Sequence, residues 1–572
     1  MRQNALLIWF FLAVLGCQNP VNQQKKETTS LIATCAPVTT DRDWYDSDNK
    51  APLFEGLGDL HFPVSTDDML VQRYFDQGLV LAYGFNHAEA ARSFYYATRL
   101  DPSCAMAFWG YAYVLGPNYN AGMETDNYER AFEAVQKALT LSENNTTEKE
   151  KDLITALSKR YVKNVVADRT LLDIAYADAM KVLYAKYPDD ADVGVLFAES
   201  LMNLHPWDLQ DKEGNDKEWT REIIALLEGV IGKHPAHPGG HHFYIHAVEA
   251  SSTPERGLES ARLFDNGLVP KAGHLVHMPS HIYIRTGDYH KGTLANIQAI
   301  KVDSAYVTAC HAQGAYPLAY YPHNQHFMAA TATLEGNSKW ALQAADALQK
   351  NANKHLMKEP GWGTVQHYFT IPYYVYVKFG KWDDILTMEN ELPGMDYPTA
   401  ILHYAKGMAH LGKGNIEAAK TELRALEKIA SKELLKEITI WDINSVHELV
   451  QIAYKVLDAE ILSQENHISQ SITLLKEAIA MEDALNYNEP PDWFFSVRHH
   501  LGAIQLVGRQ YQDAMNTYNE DLNKLPKNGW SLKGLSLAYS GLGDLSGKKE
   551  TESRFNDAWV NSDIEIKSSV VK

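Results

Sequence analysis

A chain of 572 residues with 45% hydrophobic and 22% charged residues has the length and composition of a folded protein with one large core or several cores in series. Its formal net charge of −19, with no basic run, repels phosphate backbones and argues against nucleic acid as a partner.

At the N-terminus, Arg2 precedes an apolar run, Ala5 to Leu15, that is too short to span a bilayer and matches a signal-peptide core. The run ends in Val14-Leu15-Gly16-Cys17. This resembles a bacterial lipobox, so residues 1–16 are expected to be a lipoprotein signal and Cys17 the lipidated residue. Gln18, in place of Asp, points by the same resemblance to the outer membrane. Residues 17–60 are largely polar and are expected to form a flexible tether. Three further cysteines, Cys35, Cys104 and Cys310, lack any C-x-x-C spacing and read as mostly structural.

From about residue 61 to 560 the sequence predicts helix after helix. Apolar residues recur at three- and four-residue spacing between short Gly, Pro, Asn or Asp breaks. Tyr74, Gly78, Leu81, Ala90, Phe94, Ala97 and Pro102 stand where a tetratricopeptide repeat (TPR) places its packing residues. Gly502, Ala514, Tyr518 and Pro526 repeat the pattern, and Gly407, Ala419 and Leu423 mark another copy. Turn glycines lie 49 residues apart from Gly287 to Gly336, 44 to Gly380 and 34 to Gly414, so the middle repeats carry longer helices or inserted loops. The expected fold is all-α: a TPR-like right-handed superhelix of at least eight helix pairs with a concave groove.

Twelve of the 23 histidines fall between His234 and His326. His274, His323 and His367 each stand 13 residues before a turn glycine, and His277 and His326 stand ten before theirs. Spacings of three and four put His242, His246 and Glu249 on one helical face, and His274, His277 and His281 on another. Repeated in register, these rows would converge on the concave surface. Clustered imidazoles with a carboxylate are a donor set that zinc, copper or iron accepts. The expected ligands are His242, His246, His277 and His281, with His274, His323 and His326 beside them. Glu249 would be a ligand, an orienting group or a catalytic general base. A single His pair at such spacing is commonly a solvated face or a satisfied core pair; what singles these out is their repetition in register.

The segments His241-His242-Phe243-Tyr244-Ile245-His246-Ala247-Val248-Glu249 and Gly273-His274-Leu275-Val276-His277-Met278-Pro279-Ser280-His281-Ile282 resemble a large bacterial group of exported tetratricopeptide proteins. So do Phe85-Asn86-His87-Ala88-Glu89, Tyr321-Pro322-His323-Asn324-Gln325-His326 and Glu489-Pro490-Pro491-Asp492-Trp493. The resemblance covers roughly residues 70–545 and implies the fold but no reaction. Two stretches are odd for a pure scaffold: Gly116-Pro117-Asn118-Tyr119-Asn120, and Glu489 to Trp493 with Arg498 a turn further on.

Three functions compete on this basis. The first is a membrane-anchored metalloprotein, with a catalytic centre if a coordination position stays open. The second is a scaffold that binds peptides or proteins in its groove. The third is a nutrient-binding lipoprotein resembling the SusD type, for which 31 Tyr and 12 Trp would supply stacking platforms. His-Glu-x-x-His and Gly-x-Ser-x-Gly are absent, which removes the usual zinc protease and serine hydrolase patterns.

Overall fold

Capped antiparallel helices follow one another from Met69 to Ala558 in a computed structural model that describes residues 42–310 and 316–572. The expected signal peptide, Cys17 and Cys35 lie outside the described residues, as does the side chain of Cys310. The first pair shows why the sequence folds this way. Asp68 caps the helix Met69–Tyr83 by accepting from the Leu70 amide, Gly84 ends it, and Asn86 caps the returning helix His87–Leu100. A Cβ on Gly78 would lie 2.7 Å from the Phe94 ring, and one on Gly110 would lie 2.3 Å from it. The ring of the returning helix therefore sits between two glycine faces 32 residues apart. Near the C-terminus Tyr518 occupies the same place between Gly502 and Gly534. This is TPR-like packing of helix pairs in an all-α superhelix. The turn glycines Gly287, Gly336, Gly380 and Gly414 all adopt positive φ, the conformation that ends one helix and admits the next.

Strands among the described residues are confined to Thr439–Ile440 and Asn444–Ser445, an antiparallel pair that closes the turn at Trp441. No described helix is long and apolar enough to cross a membrane. Cys104 is a buried free thiol, pushed up to about 11 by burial, which fits a structural residue.

Both ends differ from their expected boundaries. From Arg42 onward, the segment expected to be tether packs on the first helix pair: Trp44, Ala51 and Leu57 are buried. Tyr74 donates to the Ala51 carbonyl (2.7 Å), and Gln77 both donates to Pro52 and accepts from Phe54. Its scattered apolar residues find an apolar surface that composition alone does not reveal. Beyond residue 560, Ile566 and Val570 are also buried, and Ser569 donates to the His499 carbonyl.

A solenoid whose repeats touch only their neighbours leaves an open groove. This one makes contacts across its turns. Tyr289 donates to the Pro526 carbonyl (2.7 Å), Trp530 donates to the Thr333 carbonyl (2.9 Å), and the Asp563 carboxylate accepts from the Ser338 and Lys339 amides. The C-terminal pairs thus lie against the middle ones.

Gly78→Val should lower the melting temperature, because a branched side chain must displace the Phe94 ring, a cost of about 1–3 kcal/mol for overpacking. Gly394→Ala, with no atom near its new methyl group, should stay within about 0.5 kcal/mol of the parent. An unchanged melting temperature for Gly78→Val would contradict the close approach.

Candidate metal centre

Four short helical segments deliver the central histidines. The helix Pro238–Val248 starts with proline at its first position, His237 caps it, and it carries His242 and His246, with Glu249 next after its end. Gly273–His277 carries His274 and His277; Pro279, which lacks an amide hydrogen, opens the following helix Pro279–Thr286 with His281. A π-helical turn, Tyr316–Tyr320, leads into Tyr321–Leu334, which carries His323. All seven side chains are buried, with His242 and His277 at 0% exposure and His323 the highest at 8%. The expected rows therefore do not lie on an open concave surface. They are buried within the superhelix, and four of the histidines line a partly open pocket.

The residues meet in groups. His242, His246 and His274 can bring their nitrogens within 4.8 Å of one another; so can His277, His281 and His323. His246, Glu249 and His281 form a third group across the two. Ring centroids lie 4.9 Å apart for His242 and His246, 4.8 Å for His277 and His281, and 5.3 Å for His246 and His281. His326 belongs to none of these groups. Three residues beyond His323, it packs against His367 (5.3 Å) and the Phe494 ring (5.0 Å).

The hydrogen bonds fix the protonation pattern. His242 Nδ1 lies 2.5 Å from the Tyr83 carbonyl, which only accepts. His246 Nδ1 lies 2.6 Å from Glu249 Oε1, and His281 Nδ1 is bonded to Glu249 Oε2. His277 Nδ1 faces Asn296 Oδ1 at 2.7 Å, and the Asn296 amide nitrogen donates to the Gly292 carbonyl, which sets its orientation. In each case Nδ1 carries the hydrogen, so Nε2 presents a lone pair. The Nε2 atoms of His242 and His246 have no partner among the described residues, nor has either nitrogen of His274 or Nδ1 of His323. His277 Nε2 and His281 Nε2 point at each other across 2.8 Å. Two lone pairs at that separation repel unless a proton or a metal cation lies between them. Both oxygens of Glu249 are engaged by Nδ1 groups, so of its three expected roles the geometry fits the orienting one.

Burial, followed by the neighbouring imidazoles, pushes His242, His274, His277 and His323 well below the ordinary histidine range. Burial also lowers His246, against the pull of Glu249. For Glu249, burial works against the charged form, but His281 and His246 hold it well below the usual carboxylate range. Burial thus favours the neutral form of five imidazoles, those of His242, His246, His274, His277 and His323, around one carboxylate.

Aromatic rings close the cluster. The Phe85 ring lies 4.6–5.8 Å from those of His242, His246 and His274, and the Phe327 ring 4.5–5.0 Å from those of His277, His281 and His323. His246, His274, His281 and His323 line one pocket with Asn120, Trp207, Tyr320, Trp441 and Asn488. Phe85, Trp207 and Trp441 have φ of 55°, 57° and 52°. Left-handed backbone at large aromatic residues costs on the order of 1–3 kcal/mol each, and such strain gathers at functional sites. The two odd stretches of the sequence end here: Tyr119 packs on His246 (5.4 Å), and Asn488, next to the Glu489–Trp493 stretch, lines the pocket. Nothing in the sequence marked Trp207, Trp441 or Asn296.

Beside the cluster, burial pushes His367 down to about 3. It stays neutral when folded, whereas the unfolded chain takes up its proton below about 6.5. The stability linked to His367 is therefore complete above pH 6.5 and lost as pH falls toward 3. The stability difference between the parent and His367→Gln should shift in the variant's favour over that window. A difference independent of pH would contradict the buried neutral imidazole.

No protein-family model matches the chain, and no curated protein sequence matches it. Among solved structures it is similar to human IFIT1, solved as a dimer with PPP-AAAA (12% identity over 86% of this chain and 92% of that one, TM-score 0.30). It is also similar to yeast Tom70 (12% identity, 87% and 98% covered, TM-score 0.30) and to the TPR domain of P58(IPK) (11% identity, 83% and 99% covered, TM-score 0.21).

Proposed function

We propose that this helical-repeat protein is a transition-metal protein whose ion is held by the buried histidines, with substrate entering the adjoining pocket. The observation that carries the reading is the set of Nε2 lone pairs of His242, His246, His277 and His281, turned inward by fixed acceptors on Nδ1. That is the arrangement of metal-ligating histidines: the distal nitrogen donates to a carbonyl or carboxylate, and the proximal one is free to coordinate. Neutral imidazoles suit zinc, copper or iron better than magnesium or calcium. Glu249 acts as a positioning residue and as the compensating charge.

Trp207, Tyr320 and Trp441 offer flat apolar faces beside the cluster, while Asn120 and Asn488 offer hydrogen bonds. This lining favours a small molecule with a planar or apolar part over a peptide strand. An ion with an open position toward this pocket would act as a Lewis acid or redox centre on such a molecule. The proposal places the protein on the outer membrane through lipid at Cys17, supported by the apolar run ending in Gly16-Cys17.

The parent should retain stoichiometric zinc, copper or iron, and the ion should raise its melting temperature, by about 2.7 kcal/mol of added stability at a hundredfold excess over Kd. His246→Ala combined with His277→Ala should abolish both effects. Acid should weaken binding only at pH well below the ordinary histidine range, because burial lowers His242, His246 and His277 and protons compete for their nitrogens only there. A parent that holds no metal and melts unchanged with all three ions would refute the reading. For the anchor, Cys17→Ser should move the protein from the membrane fraction to the soluble fraction; unchanged membrane attachment would rule the lipid out.

A further inference from the structure

Seven buried side chains are more than one ion needs. His242, His246 and His274 form one triad, and His277, His281 and His323 form a second. Each triad has its own phenylalanine, Phe85 or Phe327, packed against all three of its rings. Glu249 spans the two, accepting from His246 in the first and His281 in the second. The triads are adjacent: His246 and His281 have ring centroids 5.3 Å apart, and His274 and His277 5.7 Å apart. We propose that the cluster is a two-ion centre, with one copper(I) on each triad and dioxygen bound between them. This deepens the metal reading above and rests on it.

The charge balance selects the ion. Glu249 is the one carboxylate hydrogen-bonded to the six imidazoles among the described residues. Two divalent ions would bring four positive charges into a dry interior against that single negative charge, and uncompensated buried charge is costly. Two cuprous ions bring two. Three neutral imidazoles suit copper, and copper leads the divalent affinity order for nitrogen ligands, so the oxidised pair would also be retained.

The same balance selects the ligand. His246 and His274 of one triad and His281 and His323 of the other line the same pocket, so one small molecule entering it meets both ions. Dioxygen is neutral. Each copper(I) gives up one electron, the oxygen–oxygen double bond becomes a single bond, and a peroxide dianion lies between two copper(II) ions. The electrons balance, no proton moves, and the net charge of ions plus ligand is two before and after. Binding therefore adds no charge to a site with only one carboxylate to answer it. An anionic ligand brought in from water would have to shed its hydration at the Phe85 and Phe327 walls.

The test is anaerobic titration of the full chain, solubilised in detergent, with copper(I) held by a competing colorimetric chelator. The parent should retain two equivalents; His274→Gln and His323→Gln should retain one each. On exposure to air the parent should develop a strong near-ultraviolet absorption, reversed by removing oxygen, while its two copper(II) ions remain silent in electron paramagnetic resonance through mutual coupling. The single-triad variants should give neither the reversible band nor the silent state. If either variant fails to fold by circular dichroism, the parent's stoichiometry and resonance silence decide alone. One equivalent per parent chain, or an ordinary uncoupled copper(II) signal, would overturn the pair while leaving the metal reading standing. Two equivalents with no response to oxygen would overturn dioxygen as the ligand. Retention of zinc or iron(II) with no copper(I) uptake would overturn the cuprous assignment, and no metal at all would overturn both readings.

Discussion

The carboxylate of Glu249, taken at both oxygens by imidazole Nδ1 groups from two different helices, is the interaction on which the site depends. It holds both His246 and His281 from one residue and fixes that Nδ1 of each carries a hydrogen. The Tyr83 carbonyl does the same for His242, and Asn296 for His277. The Nε2 atoms of His242 and His246 are thereby left without a partner among the described residues, and those of His277 and His281 face each other. Replacing Glu249 with a neutral side chain would remove both the orientation and, among the described residues, the one carboxylate bonded to the cluster, so it is a positioning residue whose loss acts through the histidines.

A repeat fold has no interior of this kind by default. The interior exists because the chain curls far enough for Tyr289, Thr333 and Ser338 to meet residues beyond Pro526, and because long connections fold over the mouth. The repeats carrying His277 and His323 are those with 49- and 44-residue periods. Trp207 and Trp441 are held over the pocket in left-handed backbone that bulky residues avoid, and the short strand pair Thr439–Ile440 with Asn444–Ser445 pins the second of them. The added length and these two strained tryptophans lie beside the histidines.

The helical repeat was legible in the sequence because its signals are local. Gly78 and Phe94, or Gly502 and Tyr518, pack against each other within one helix pair, and turn glycines such as Gly287 are required by a single backbone conformation. The pairing of His242 with His246, and of His277 with His281, was legible for the same reason: helical spacing sets it. What escaped depends on contacts far apart in the chain. Contacts across the turns of the superhelix accompany the burial of histidines expected to line its groove. His326 shares a helix with His323 yet packs against His367 of the neighbouring helix, a contact between helices that the sequence does not show. The Tyr83 carbonyl and Asn296 are second partners that no spacing rule announces. The segment from Arg42 to residue 60 looked like tether because its scattered apolar residues show no period, yet Trp44, Ala51 and Leu57 find buried places.

The central claim is that ions sit on inward-facing imidazole nitrogens in the middle of the superhelix. Anomalous X-ray scattering at the zinc, copper and iron edges, from crystals of protein purified without chelator, addresses it most directly. The account expects anomalous density within about 2.0–2.3 Å of Nε2 of His242 and His246, or of His277 and His281, with Glu249 outside the coordination sphere. Density only at surface carboxylates, or none at any of the three edges, would contradict it.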